Sequence, residues 1–190
     1  MSAPRKILLS LLVLALAQSA VLAGMVVDRV HLLRTGREIA LPIVPVDPRD
    51  LFRGEYVQLG YNAGTVRLSQ LEGPAPDANA PFYVVLEKKP EGDWQSVRVT
   101  RDMPRETSPD RIVLKARAQH GWPARPAADA SLQVRYGIES YFVPEGRGRA
   151  LEALAREKKL AALVAVDARG NAAIKGLLID GVLQYEEPLF

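Results

Sequence analysis

The chain has 190 residues and contains no cysteine, so disulfides and thiolate metal sites are ruled out. Its 25 Lys and Arg against 22 Asp and Glu leave a net charge of +3. These charges are spread along the chain and aromatics are few, which argues against a nucleic-acid-binding protein. Once a leading apolar segment is set aside, about 150 to 160 residues remain, enough for one ordinary domain with a sizeable core and too few for two.

The leading segment is Ile7 to Val27, a run without charge that follows Arg5 and Lys6. At about 1.5 Å per residue it can cross a hydrocarbon layer of about 30 Å. Ala15-Leu16-Ala17 also offers the small-x-small pattern of a signal-peptide cleavage site. The retained anchor is the preferred reading, because apolar character continues well past Ala17. A short basic start places the amino terminus inside and the domain outside, although Arg29, Arg34 and Arg37 after the segment blunt that argument. Helix is expected to run on from Asp28 to Thr35 and to stop at Gly36.

Strand then begins, over Glu38 to Val46. Asp47 suits an N-cap, Pro48 the first helical position, Asp50 a capping-box acid and Gly54 a stop, so Asp47 to Gly54 reads as one short helical turn. Along Tyr56 to Asn62 a period of two puts Val57, Leu59 and Tyr61 on a core face, with Tyr56, Gln58 and Gly60 opposite. Further strands are expected over Phe82 to Lys88, Trp94 to Thr100, Ile112 to Arg117, Leu132 to Ile138, Ala162 to Val166 and Ala173 to Ile179. Pro90-Glu91-Gly92-Asp93 should close an antiparallel hairpin, and Val166 to Asn171 another. Gly73 to Pro81, Arg101 to Asp110 and Gly121 to Asp129 read as loops. Helix is expected over Arg149 to Lys159, with Leu151, Leu154 and Ala155 on its packed stripe. The predicted fold is therefore α+β and predominantly β. An N-terminal transmembrane helix (residues 1–35, with a cytoplasmic tip) precedes one extracytoplasmic antiparallel domain (residues 36–190), a sandwich or partly open barrel with one packed helix.

Gly54, Tyr56, Leu59 and Tyr61, preceded by Pro45 to Asp50, match the pattern that names the GDYXXLXY family of bacterial membrane-anchored proteins. Glu55 departs from it, standing where the pattern has Asp. The Tyr136 to Gly146 segment and the closing Ala165-Val166-Asp167-x-x-Gly170 run resemble the same family. The resemblance implies a retained membrane anchor; with the orientation read from the basic start, the expectation is a single-pass protein of the inner membrane with its domain facing the periplasm or cell exterior. The resemblance also implies no assigned activity, and a gene neighbour encoding a multi-spanning membrane protein that would be the partner.

Chemistry is sparse. His31 and His120 are far apart in sequence and do not suggest a metal site, and no cofactor is expected. Asp47 and Asp50 are explained by capping, and Glu55 by pairing with Arg49 or Arg53. A Gly-acid-x-Val stretch behind one anchor is reminiscent of β-rich leader peptidases, but Ser10 and Ser19 lie within the apolar run and supply no activated nucleophile. In Tyr136 to Gly146, one reading has Ile138 and Phe142 packing inward and Glu145 at the start of a helix. The other gathers Glu55, Tyr56, Tyr61, Glu139, Tyr141 and Glu145 into an aromatic and acidic face for a partner or ligand. Two functions follow: a non-catalytic binding or accessory protein for a multi-spanning membrane partner, or an envelope hydrolase or ligand-handling protein using those acids. A purely structural role for both stretches is the third reading.

Overall fold

The computed structural model describes residues 3–44, 56–123, 130–142 and 148–186. The helical turn expected over Asp47 to Gly54 lies outside them, and so do Pro45, Val46, Glu55 and Glu145.

Helix α1 spans Ala3–Thr35. Its part from Leu9 to Thr35 is long and apolar enough to cross a membrane, and its Leu, Val and Met side chains up to Val27 are exposed. The last turn behaves differently, because Leu32 and Leu33 are buried against Ala173. Gly36 ends the helix as expected, its N–H returning to the Leu32 carbonyl at 2.9 Å. The need for glycine here comes from crowding: a Cβ at Gly36 would stand 2.5 Å from the Leu32 carbonyl oxygen and 3.0 Å from the Val166 nitrogen. Helix and sheet are joined without room for a side chain.

Strand β1 (Arg37–Val44) alternates as the sequence demands, with Ile39, Leu41 and Ile43 buried. It pairs antiparallel with β11 (Leu160–Val166), which pairs with β12 (Ala172–Ile179), and β12 with β13 (Val182–Glu186). On its other edge the end of β1 takes β3 (Gly60–Tyr61), giving the order β13-β12-β11-β1-β3. The second sheet runs β4-β9-β8-β6-β7-β5, built from β4 (Thr65–Arg67), β5 (Leu71–Glu72), β6 (Phe82–Lys88), β7 (Trp94–Thr100), β8 (Arg111–Ala118) and β9 (Ser131–Arg135). Only its β5–β7 pair is parallel. A small ladder joins β2 (Tyr56–Gln58) to β10 (Ser140–Phe142). Residues from both large sheets form one hydrophobic cluster, among them Leu41, Leu177, Phe82 and Leu114. Helix α2 (Gly148–Arg156) covers part of it with Leu151 and Ala155, the stripe read from the sequence.

Several expected boundaries move. The Tyr56 to Asn62 strand divides at Leu59, where the chain exchanges β10 for β1 as its partner. The Leu132 to Ile138 strand stops at Arg135, because Gly137 adopts φ +83 and turns the chain. Phe142 does not pack inward; it is 79% exposed. Helix α2 ends at Arg156 instead of Lys159, with Lys158 in the left-handed region at φ 58. Strand β13 escaped the sequence reading although Asp180-Gly181, at φ 49 and φ 80, is the residue pair that a two-residue hairpin turn favours.

Candidate functional site

The described part of the GDYXXLXY-like stretch is tied to the segment around Glu139 at Leu59 and Tyr61. Leu59, 1% exposed, donates its N–H to the Glu139 carbonyl at 2.8 Å. Tyr61 is buried two residues on, as the period of two requires, and its hydroxyl donates to the Ile138 carbonyl at 2.7 Å. Tyr136 does the reverse. Its buried hydroxyl donates to the Ala63 carbonyl at 2.5 Å. Two phenols reaching in opposite directions thus clasp residues 59–63 to residues 136–139.

Glu139, half-buried, closes its own loop. Its carboxylate accepts the Tyr136 N–H at 2.5 Å and the Gly137 N–H at 3.0 Å, the bonds that the turn at Gly137 would otherwise leave unmade. Burial pushes the ionisation of Tyr61 and Tyr136 well above the ordinary tyrosine range, and the Glu139 charge adds to it. Both phenols stay neutral donors at physiological pH.

Above the clasp lies a groove of about 580 Å³ with Leu59, Gly60 and Tyr61 along its floor. Gln58, Gln119, Gln133 and Arg135 stand around it and are exposed, while Glu139 and Ser140 close one end. Gln133 is steadied by Thr65, donating to its hydroxyl at 2.9 Å. Arg135 has no ion-pair partner among the described residues. A second groove of about 660 Å³ shares Gln119, Arg135 and Glu139 and continues toward Lys115 and Asn171.

Of the residues singled out from the sequence, the fold brings Leu59, Tyr61, Glu139 and Tyr141 together. Tyr141, 7% exposed, belongs to the core, and its backbone pairs with Val57. The Tyr56 backbone is paired with that of Phe142 in the β2–β10 register. Asp47, Pro48, Asp50, Gly54, Glu55 and Glu145 lie outside the described residues. Among the described residues no group of three or more histidine and carboxylate side chains is placed to hold a metal ion.

The sequence reading gave no part to Ala63, in the 3-10 turn Asn62–Gly64, to Gln119, in the turn after β8, or to Gln133 and Arg135 on β9, none of which belongs to a motif. Tyr136 was visible only as the first residue of a family-like segment.

The Asp167-x-x-Gly170 run forms a second structural knot. The Asp167 carboxylate accepts the N–H groups of Arg169 and Asn171, each at 2.8 Å, and the Asn171 side-chain amide at 2.9 Å. Burial works against its charge, but the hydrogen bonds from Asn171 and Arg169 outweigh burial and hold the carboxyl below the usual range. The Gly170 carbonyl accepts the Lys115 N–H at 2.8 Å, tying the β11–β12 turn to β8 of the other sheet.

The family model described as GDYXXLXY protein matches residues 18–177, which include α1 from Gln18 onward, the clasp and this knot. No match was found among curated proteins or among solved structures.

Proposed function

This chain belongs to the GDYXXLXY family, and we propose that it is a membrane-tethered, non-catalytic binding protein whose groove above the tyrosine clasp receives a protein partner. The engagement of Glu139 and of both clasp tyrosines carries this reading. A general acid or base needs a carboxyl free to exchange a proton with substrate, and the Glu139 carboxylate already accepts two backbone N–H groups of its own loop. What the groove presents instead is a set of exposed amides and one guanidinium, Gln58, Gln119, Gln133 and Arg135. These groups suit a peptide surface, where carbonyls and carboxylates supply the matching acceptors. From the sequence pattern alone, Glu55, Tyr56 and Glu145 are proposed to contribute to partner binding. Tyr61 and Tyr141 act as buried supports.

Helix α1 supplies the tether, by length and composition. In this reading the domain faces the periplasm or cell exterior from the inner membrane, and the partner is the multi-spanning membrane protein that the family's gene neighbourhood suggests.

The test is co-purification of that neighbour with the full-length chain from solubilised membranes. The Gln133→Ala, Arg135→Ala double variant should lower its recovery at least fivefold, the size expected for losing a charge-assisted contact of over 1 kcal/mol, with the thermal unfolding midpoint unchanged. Equal recovery by the variant, or hydrolytic turnover lost in Glu139→Gln, would contradict the reading.

A further inference from the structure

A third groove opens at the end of β11, beside the last turns of α1. Its walls are the end of α1, the loop before β8 and the Asp167–Arg169 turn, and its volume is about 1010 Å³. Its place relative to a bilayer follows from helix geometry. Counting from Val27, the last residue of the uncharged run, His31 stands about 6 Å and Thr35 about 12 Å further along the axis. A headgroup layer occupies about 5–8 Å on each side of the hydrocarbon. His31, within that layer, and Thr35, about 4 Å beyond it, both line the groove, so it opens at the outer edge of the lipid headgroups.

Its charge is lopsided. Four arginines, Arg37, Arg105, Arg111 and Arg169, face two acids, Glu106 and Asp167. Those acids are already occupied: Glu106 pairs with Arg98 at 3.0 Å and with Arg111 at 3.7 Å, and Asp167 with Arg169 and its own turn. Arg111 also pairs with Glu87 at 3.0 Å, so among the described residues Arg37 and Arg105 are the two groove arginines without a carboxylate partner. Arg37 donates to the carbonyls of Arg111, at 2.7 Å, and Pro109, which position the guanidinium without neutralising it. Arg105 is exposed and has no hydrogen-bond or ion-pair partner among the described residues. Between the cations the surface is apolar, with Met103, 39% exposed, beside Pro104 and Val113. Guanidinium groups over an apolar floor match a phosphate joined to a glycerol ester.

We infer that this groove binds the headgroup of an anionic phospholipid from the leaflet on the domain's side, fixing how the domain stands on the membrane. The inference rests on the anchored reading of α1. It is independent of the partner-binding groove.

The experiment is hydrogen exchange on the full-length protein in phosphatidylcholine nanodiscs containing increasing phosphatidylglycerol. Segments 103–113 and 167–171 should become protected as phosphatidylglycerol rises. Arg105→Ala should move the midpoint to about fivefold higher anionic lipid, as expected for one cation at an anionic surface, and Arg105→Glu further. Neither substitution removes a bond within the fold, and Arg37→Ala should abolish the protection. Equal protection in pure phosphatidylcholine, unchanged midpoints in the Arg105 variants, or equal protection by inorganic phosphate in detergent would overturn the inference and leave the anchor intact. Failure of the chain to enter nanodiscs would overturn the anchored reading and this inference together.

Discussion

A Tyr61→Phe, Tyr136→Phe double variant is expected to lose about 2–4 kcal/mol of folding stability, because each substitution leaves a carbonyl without the hydroxyl that satisfies it in a buried site. The carbonyls are those of Ile138 and Ala63, so the loss loosens the segment that carries both family-like stretches. The variants are close enough to couple, and the double need not equal the sum of the singles. Alkaline pH gives a sharper signature. Both phenols ionise well above the ordinary value when folded, through burial and the nearby Glu139 charge. The unfolded chain therefore releases these protons first, at about pH 10, and binds fewer protons than the folded state above that pH. The clasp's contribution is complete below pH 10 and declines as pH rises toward the folded values, at about 1.4 kcal/mol per pH unit for each tyrosine. Denaturant unfolding from pH 8 to 11.5 should show wild type and double variant converging above pH 10. A constant gap across that range would refute the clasp.

Gly170→Ala should cost about 2–4 kcal/mol, of which about 1–2 comes from placing a side chain in the left-handed region and the rest from crowding. Gly170 has φ +79, and a Cβ there would stand 3.1 Å from the Lys115 nitrogen and 3.3 Å from the Val113 carbonyl oxygen. Both contacts are backbone of β8, so relief requires the two sheets to part locally and the Lys115 to Gly170 bond to lengthen. Thermal unfolding of the variant checks the loss, and slowed β8 exchange protection should fall with it. The companion substitution Asp167→Ala removes the carboxylate that organises the same turn. That carboxyl titrates below its usual range when folded, so its stabilisation is present above the unfolded value of about 4 and is lost as pH falls through the lower folded value. The penalty of Asp167→Ala should therefore be full at neutral pH and shrink on acidification. A glycine variant as stable as wild type would show that the sheets do not depend on this turn.

Much of the architecture was legible because its signals are local. The uncharged Ile7 to Val27 run, the alternation of Ile39, Leu41 and Ile43, the Phe82–Lys88 and Trp94–Thr100 hairpin and the Leu151, Ala155 stripe depend on periodicities within one element. The same alternation placed Leu59 and Tyr61 inside. Some misreadings have local causes, as at Gly137 and Lys158, but those at the motif strand and at Phe142 come from a partner distant in sequence. The Tyr56 to Asn62 strand divides because its halves pair with β10 and β1. Phe142 was expected inside and points outward, because the β2–β10 ladder turns Tyr141 into the core instead. Strands β4 and β5, with three and two residues, are too short to show any period. The docking of Leu32 and Leu33 on Ala173 was hidden for another reason: two leucines ending an apolar helix look alike whether they meet lipid or protein.

The candidate site divides in the same way. The motif residues Gly54, Tyr56, Leu59 and Tyr61 pointed to the family that the family model matches, and sequence alone settled which face of the motif strand is buried, since a period of two suffices for that. Tertiary structure decided what the motif's neighbours do: the Tyr61 and Tyr136 hydroxyls find carbonyls 77 and 73 residues away, and Glu139 serves its own loop. Hydrogen-bond partners at that range are fixed by how strands meet, and chain periodicity holds no record of the meeting.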